Sequence, residues 1–257
     1  MSDFFITPEL RDALGGQVSF DTLLNMPGQV YRQVERRRTV RFEAGAKGYF
    51  VKAHYGVGWR EIFKNLFTLR LPVLGATNEW RAIRRVEALG LRAPTIAAYG
   101  VRGSNPATRE SFLVTEDVGS SISLEDYCRQ WRNAPPGFAQ KRDLIREVAL
   151  ISKALHEGGV NHRDYYLCHF LRPLSGTDTG LVVIDLHRAQ IRPVTPRRWM
   201  IKDIGGLYFS AMDIGLTQRD LFRFMKFYRG RPLRELLNRE NALWSDVKRR
   251  ALRLYQQ

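Results

Sequence analysis

Cysteines and long apolar runs are scarce in this sequence, and each scarcity excludes a class of protein. Only two cysteines, Cys128 and Cys168, occur among 257 residues, so we expect a reducing compartment and no disulfide framework. No apolar run approaches the roughly 18 residues that a bilayer span requires. The first residues also lack the basic start, apolar centre and small-residue cleavage site of a signal peptide. We therefore expect a cytoplasmic protein.

Acidic residues are few beside basic ones. The chain has 41 Lys and Arg against 26 Asp and Glu, which gives a formal net charge of +15. This excess predicts attraction to something anionic, whether nucleic acid, an acidic membrane, a phosphorylated substrate or an acidic protein. Charge alone does not choose among these, and a soluble arginine-rich protein has the same composition. The hydrophobic content of 44% and the aromatic content of 11% predict a folded globular protein.

The chain changes character near residue 118. Before it, short β-like segments with glycine at the turns surround one helix, and after it the segments are helical, including a long helix that stops at Gly158. This order predicts an α+β, bilobal, protein-kinase-like fold, with a β-rich N-terminal lobe over residues 1–117 and a helical C-terminal lobe over residues 118–257. The β-like segments and the helix among them are 29–34, 39–43, 49–54, 79–89 (helix), 94–100 and 111–117.

Two aspartates in the second half are spaced as in a kinase. Asp164 follows His162-Arg163, and Asp185 follows the apolar run 181–184. A loop and a short hairpin fit between them, which is how kinase-like phosphotransferases bring a catalytic-loop aspartate and a metal-binding aspartate together over ATP. We predict that Asp164 accepts or orients the proton of an attacking hydroxyl and that Asp185 holds Mg²⁺. Asp203 is predicted to brace the backbone of the catalytic loop.

His169 stands where kinases usually carry a metal-binding asparagine. Its imidazole can coordinate Mg²⁺ or hydrogen-bond a phosphate, although it is a poorer ligand for a hard cation than oxygen is. We therefore predict His169 as both a metal-ligating and a nucleotide-binding residue. Leu186-His187 replaces the usual Phe-Gly after Asp185, which argues against a mobile activation switch.

The remaining parts of a kinase are predicted in the first half. Lys52 lies among apolar residues of a predicted strand, where a kinase-like fold places the lysine that reaches the ATP phosphates. An ordinary strand lysine that extends to solvent has the same pattern. Glu79, in the first turn of the next long helix, is the predicted partner of Lys52, although an acid there is also favoured by the helix dipole alone. Glu61 is the rival, because it follows the strand more closely.

The segments that would hold the adenine and the phosphates are less distinctive. A polar stretch near residue 118 predicts a hinge, where backbone groups near Glu116 and Val118 would meet the adenine edge. No G-x-G-x-x-G occurs between the first two strands, and a turn over residues 35–38 with three arginines stands there instead. Those arginines could hold phosphates or form a solvated turn. The basic amphipathic segment 57–71 could lie on a membrane, receive a partner or pack on the sheet.

These motifs resemble those of a known family. Residues 161–164 with Tyr166, residues 168–171 and residues 184–190 are similar to motifs of the lipopolysaccharide core heptose(I) kinases, the WaaP/RfaP family. Supporting stretches lie at 48–52, 71–76 and 202–210. The resemblance extends from residue 28 to the C-terminal helices, which is most of the chain.

The resemblance implies that the chain uses ATP and Mg²⁺ to phosphorylate the first heptose of the lipopolysaccharide inner core. The acceptor implies peripheral contact with the cytoplasmic face of the inner membrane. The match assigns Asp164 as the catalytic aspartate, Asp185 as the metal ligand and Lys52 as the phosphate-binding lysine, and His169 is usual for the family. Acyl carrier protein, which is small and acidic, would suit the positive charge as a partner, and no nucleic acid is expected. Tyr165 replaces an expected small residue and is predicted to alter the fit of the acceptor.

Other functions stay open. A protein-tyrosine (auto)kinase or a kinase of another sugar, such as Kdo, would have the same fold and chemistry. A catalytically inactive basic module that binds nucleic acid or an acidic protein would belong to a different class. The presence of Lys52, Asp164 and Asp185 argues against the inactive module.

Overall fold

The computed structural model describes residues 4–34, 36–56, 58–59, 75–175 and 180–257. The chain is a mixture of helices and antiparallel strands that forms two compact units. The first unit comprises Met1–Arg84, Pro94–Gly119 and Leu186–Arg188, and the second comprises Arg85–Ala93, Ser120–Asp185 and Ala189–Gln257. No helix within the described ranges has the length and apolarity needed to cross a bilayer. The predicted segment 57–71 lies, apart from residues 58–59, outside the described residues.

A six-stranded antiparallel sheet dominates the first unit. Its strands lie in the order β1-β5-β6-β4-β3-β2, and each neighbouring pair is antiparallel. The five predicted strands are confirmed, but Arg37 and Arg38 belong to β3, so the turn predicted over residues 35–38 is wrong at its end. The two-residue β1 was not predicted, because it is too short to show alternation. The strands are β1 Phe5–Ile6, β2 Gln29–Val34, β3 Arg37–Ala44, β4 Lys47–Tyr55, β5 Ile96–Arg102 and β6 Glu110–Glu116.

One face of this sheet is buried against two short helices, Pro8–Ala13 and Phe20–Leu24. Ser19 accepts a hydrogen bond from the Thr22 amide at 3.1 Å and so caps the second helix. Its Phe20 ring packs on Phe112 of β6 with a centroid separation of 4.9 Å. Since alternate strand residues point to opposite faces, the side chains of β4 at positions 49, 51 and 53 enter this core. Lys52 therefore lies on the opposite face.

The helix Thr77–Ala88 carries the predicted glutamate. Ala82 and Ile83 are buried on its inner side, as the helical spacing from Glu79 predicted. Trp80 stacks on Tyr99 of β5 with ring centroids 4.7 Å apart, which fixes the rotation of the helix against the sheet.

Helices and short strand pairs form the second unit. The predicted long helix is Phe138–Glu157, and it ends at Gly158 as expected. The first of the helices after residue 190 stops at Ser210, and Ala211 is its C-cap. The remaining helices are Leu124–Cys128, Arg197–Ser210, Gln218–Arg229, Leu233–Arg239 and Asn241–Tyr255, and the strands are β7 Ser121–Ser123, β8 Val160–Asn161, β9 Phe170–Pro173, β10 Val182–Val183 and β11 Gln190–Ile191.

Two glycines allow close packing around the predicted catalytic loop. Gly159 has φ +78°, and a Cβ atom there would lie 1.8 Å from the carbonyl oxygen of Arg192. The two residues are instead joined by a hydrogen bond from the Arg192 amide to the Gly159 carbonyl, next to the paired strands β8 and β11. Gly206 brings the helix Arg197–Ser210 against the loop, because a Cβ there would lie 3.1 Å from the Tyr165 carbonyl oxygen. Only glycine combines the positive φ with this close approach at residue 159.

Candidate active site

An ion pair joins two predicted site residues in the first unit. Lys52 Nζ lies 2.5 Å from Glu79 Oε1. Lys52 sits in mid-strand, opposite Thr39 of β3 and Leu113 of β6, so backbone pairing on both sides fixes its position. The Glu79 side chain is only 6% exposed, and a carboxylate so deeply buried needs a charged partner. Glu61, the rival partner, lies outside the described residues.

The predicted adenine-binding segment follows β6 as a tight, polar turn. The Glu116 amide already donates to the Thr95 carbonyl at 2.8 Å, and the Glu116 side chain pairs with Lys47 at 2.7 Å. Among the described residues, none accepts a hydrogen bond from the Val118 amide. Asp117 shapes the turn by accepting from the Gly119 amide at 3.0 Å. Of the two predicted amides, the one at Val118 is therefore the one available to a nucleotide.

A buried aspartate braces the predicted catalytic loop in the second unit. Asp203 is 1% exposed, and its carboxylate accepts hydrogen bonds from the backbone amides of His162 at 2.6 Å and Arg163 at 2.9 Å. The ring of His156 reaches the same carboxylate at 3.4 Å. The bracing role predicted for Asp203 is confirmed. Charge-assisted bonds of this kind are about twice as strong as neutral ones, so the loop backbone is held firmly.

Backbone strain is concentrated at two residues of the predicted site. Arg163 has φ 76° and Asp185 has φ 60°, and they are the only non-glycine residues with positive φ in the part of the chain that the structure describes. This conformation costs roughly 1–2 kcal/mol per residue and persists where the surroundings impose it. Asp203 holds the Arg163 amide, and the ring of His162 donates from Nε2 to the Ile184 carbonyl at 2.9 Å, one residue before Asp185.

Sequence reasoning missed this role of His162. Its position at the start of His-Arg-Asp was the available signal, but nothing in the sequence indicated that the ring reaches the carbonyl before Asp185. The ring is fully buried, and burial lowers the pKa of His162, which keeps the imidazole neutral. The bond to Ile184 then places the proton on Nε2.

Three of the predicted residues come together around His169. Its Nδ1 donates to the backbone carbonyl of Asp164 at 2.6 Å, and its Nε2 lies 3.6 Å from Asp185 Oδ2. The strand pair β9–β10 sets this geometry, since the Ile184 amide also donates to the His169 carbonyl at 3.0 Å. The second unit thus holds the catalytic-loop aspartate, the histidine and the second aspartate together as the sequence spacing predicted.

The electrostatics of His169 favour its charged form. Burial acts to lower the pKa of His169, but a hydrogen bond with Cys168, the bond to the Asp164 carbonyl and the charge of Asp185 outweigh it and raise the pKa to about 9. The ring stacks on that of His162 with centroids 5.6 Å apart. A neutral imidazole therefore lies against a charged one, and each is held by a different backbone carbonyl.

The donor groups of this site fit Mg²⁺ through Asp185. The Asp185 carboxylate is about one-third exposed, and Mg²⁺ favours carboxylate, phosphate and water oxygens. No cluster of three or more His, Cys, Asp or Glu side chains that could hold a metal occurs in the described ranges, so further ligands would come from the nucleotide and water. The atom of His169 that would meet a metal or a phosphate oxygen is Nε2, which lies 3.6 Å from Asp185 Oδ2.

Tyr165 does not face an acceptor. The side chain is 1% exposed, and its hydroxyl lies 2.8 Å from Ser152 Oγ in the helix beneath the loop. Burial raises the pKa of Tyr165, so the phenol stays neutral and structural. The prediction that Tyr165 alters acceptor fit is wrong, because alternate residues of the loop point in different directions and this one points into the core.

Comparisons with known proteins agree with this geometry. The profile of the Lipopolysaccharide kinase (Kdo/WaaP) family matches residues 21–228. The chain is 50% identical to "Lipopolysaccharide core heptose(I) kinase WaaP" of Pseudomonas aeruginosa, over 94% of this chain and 91% of that protein. It is 48% identical to the protein of the same name from Escherichia coli K12, over 96% of both chains. A solved structure described as "WaaP in complex with acyl carrier protein" is 43% identical and covers 98% of this chain and 99% of its own, with a TM-score of 0.83. The chain therefore belongs to the lipopolysaccharide kinase (Kdo/WaaP) family.

Proposed function

We propose that the chain is an ATP-dependent kinase that phosphorylates the first heptose of the lipopolysaccharide inner core. The observation that carries this proposal is the joint placement of Asp164, His169 and Asp185 by short contacts. It is supported by relatives that bear the name lipopolysaccharide core heptose(I) kinase at 48–50% identity over nearly the whole chain. The chain is accordingly an enzyme of lipopolysaccharide core biosynthesis.

The fold we propose is bilobal and protein-kinase-like, with an N-terminal lobe over residues 1–117 and a C-terminal lobe over residues 118–257. Lys52, oriented by Glu79, would bind the ATP phosphates, and backbone groups at Glu116 and Val118 would meet the adenine. The ion pair at 2.5 Å and the available Val118 amide support these assignments.

Asp164 is proposed as the catalytic residue. Its carboxylate would accept a hydrogen bond from the attacking heptose hydroxyl and orient the oxygen toward the phosphorus atom, as a positioned base does. Asp185 would hold Mg²⁺, which when bound supplies positive charge that offsets the charge on the transferred phosphoryl group. His169 would donate from Nε2 to a phosphate oxygen, while its Nδ1 keeps the Asp164 backbone in place.

The acceptor and the net charge suggest where the chain acts. An acceptor anchored in the inner membrane places the enzyme at its cytoplasmic face as a peripheral protein, and the charge of +15 would favour contact with acidic lipid. The solved relative in complex with acyl carrier protein supports an acyl carrier protein as a partner of this chain too.

The test is phosphate transfer to a defined acceptor. Purified, dephosphorylated core oligosaccharide is incubated with the chain and MgATP, and mass spectrometry measures the gain of one phosphate. Asp164→Asn should lower the rate by about 10³-fold, within the range for a positioned base. Asp143→Asn is the matched control, since Asp143 is exposed and paired with Arg142. An unchanged rate in Asp164→Asn would refute the assignment.

The same assay separates the other functions. A tyrosine-containing peptide and an acceptor that carries Kdo but no heptose replace the core oligosaccharide in parallel reactions. Faster turnover on either one would reassign the substrate within the same chemistry. Magnesium-dependent ATP binding without transfer to any acceptor would instead favour an inactive binding module.

A further inference from the structure

Four cationic side chains surround one indole ring in the second unit. The guanidinium carbons of Arg163, Arg192 and Arg198 lie 5.5, 5.4 and 5.4 Å from the centroid of Trp199, and Lys202 Nζ lies 5.3 Å from it. We call these five residues the Trp199 cluster. Cation–π attraction to a tryptophan face holds such groups at this range, so the ring gathers positive charge at one place.

Two arginines of the Trp199 cluster are not balanced by acids in the part of the chain that the structure describes. Among the described residues, no carboxylate forms an ion pair with Arg192 or Arg198, whereas the neighbouring Arg197 pairs with Asp246 at 2.6 Å. Burial and then the charge of Arg198 lower the pKa of Arg192. Like charges held this close repel one another, and a bound anion would relieve the repulsion.

Hydrogen bonds fix the guanidinium group of Arg192. Arg192 donates to the side-chain oxygens of Asn161 and Gln190, the latter at 2.5 Å. Arg198 is exposed, and Arg163, Arg192 and Lys202 are half-buried, so a ligand can reach the group. Guanidinium groups that are already oriented lose little entropy when they bind a carboxylate or a phosphate.

We propose that the Trp199 cluster binds an anionic group, a carboxylate or a phosphate, of the acceptor saccharide. The inference rests on the proposed function. Arg163 directly precedes Asp164 in the chain, so the loop that carries the proposed catalytic residue also supplies one cation of the cluster. The cluster thereby positions the acceptor and does not contact the phosphoryl group that is transferred.

Steady-state kinetics with matched arginine variants test the proposal. Arg198→Gln and Arg192→Gln each remove one charge from the cluster, and Arg197→Gln removes one from the adjacent residue outside it. In the first two, the KM for the core oligosaccharide should rise at least about tenfold, as expected for the loss of one charge-assisted hydrogen bond, with kcat and the KM for ATP unchanged. Arg197→Gln should change neither. Thermal unfolding establishes that each variant is folded. Because Arg198 is exposed, its substitution should disturb the fold less than that of Arg192.

Modified acceptors distinguish the two sources of the anion. If reducing the acceptor carboxylates to alcohols abolishes the difference between Arg198→Gln and the unsubstituted chain, the ligand is a carboxylate. If the difference appears only on an acceptor that keeps phosphates at positions other than the first heptose, the ligand is a phosphate, and both results support the proposal. A difference that persists on an acceptor lacking both groups would overturn it.

Two further outcomes would also overturn it. An unchanged acceptor KM in both cluster variants, with normal transfer by the unsubstituted chain, would reject this inference and leave the proposed function standing. Mass spectrometry could instead find a phosphate on the chain itself that is lost in the variants while the acceptor KM is unchanged. That result would show that the cluster binds the protein's own phosphate. Failure of the unsubstituted chain to transfer phosphate would reject the function and this inference together.

Discussion

The predicted phosphate-binding lysine and the predicted catalytic aspartate are held in place by different means. Lys52 lies in the middle of β4, with paired strands on both sides, and an ion pair to Glu79 orients its side chain. Asp164 lies in an irregular loop whose preceding residue has a positive φ. That loop is held by the buried carboxylate of Asp203 and by the carbonyl bond from His169.

This difference predicts which substitutions will disturb the backbone around the substituted residue. A strand in mid-sheet keeps its backbone when one side chain is changed, because the ladder bonds on both sides remain. A strained loop loses its geometry more readily when a polar partner is removed, because such partners impose the strained conformation. We therefore expect a residue that never touches substrate, Asp203, to matter more than Glu79, which orients a phosphate-binding side chain directly.

Asp203→Asn should have the largest effect. The amide side chain keeps the size of aspartate but loses the charge that holds two backbone amides and faces His156. We expect transfer to core oligosaccharide to fall about 10²- to 10³-fold, in the range of losing a positioned base. Stability should fall by about 3 kcal/mol, as for a broken buried charge network. Transfer kinetics and urea unfolding measure the two effects.

Asp246→Asn serves as the control for this comparison, since Asp246 pairs with Arg197 and Arg249 nearer the surface. It should leave both the rate and the stability nearly unchanged, as for most exposed ion pairs. Normal kinetics in Asp203→Asn would contradict the idea that the loop depends on this carboxylate.

Glu79→Gln should have an intermediate effect. The neutral amide can still accept from Lys52 Nζ, but it holds the ammonium less firmly, so the KM for ATP should rise and transfer should slow about tenfold overall, or about 1.4 kcal/mol. Glu110→Gln is the matched change in the same unit, because Glu110 pairs with Arg102 at the end of β6. Replacement of Lys52 by Met should exceed Glu79→Gln, and the reverse order would contradict the assigned roles.

The sequence was informative wherever a side chain follows a repeating pattern. Alternation in the segments 29–34 and 49–54 predicted two strands, and helical spacing placed Glu79 on the inward face of its helix or at the edge of that face. The spacing of Asp164 and Asp185 predicted their proximity, because a hairpin is a local structure. These inferences depend on neighbours along the chain.

Sequence patterns did not predict contacts between residues that are far apart in the chain and lie in irregular segments. The positive φ of Arg163 and the bond from His162 to the Ile184 carbonyl have no periodic signal, since both depend on how a loop meets a turn. The inward direction of Tyr165 was misjudged for the same reason. Arg163, Arg192 and Arg198 gather around Trp199 because a loop, a strand end and a helix pack together. No pattern along the sequence predicts that packing.

The smallest expected effect on the transfer rate is at His54 of the sheet, where the change lies in how stability depends on pH. His54 lies two residues after Lys52 on β4, and its buried Nδ1 has no hydrogen-bond partner in the described part of the chain. Burial, together with the charges of Arg37, Lys52 and His187, lowers the pKa of His54 to about 3. The unfolded chain takes up this proton near pH 6.5 and the folded chain does not. The proton therefore favours unfolding as the pH falls from 6.5 toward 3.

His54→Gln should remove this contribution. Each pH unit between the two pKa values is worth up to about 1.36 kcal/mol, so at pH 4 the variant should lose about 3 kcal/mol less stability, relative to pH 7, than the unsubstituted chain. Urea unfolding at both pH values measures the difference, and the rate at pH 7 should not change, because His54 is neutral there. If the stability of the variant and that of the unsubstituted chain fall equally between pH 7 and pH 4, another group takes up the proton. A loss of activity at pH 7 would show that a substitution at His54 disturbs the position of Lys52. That result would contradict the inference that the paired strands on both sides of β4 hold its backbone in place.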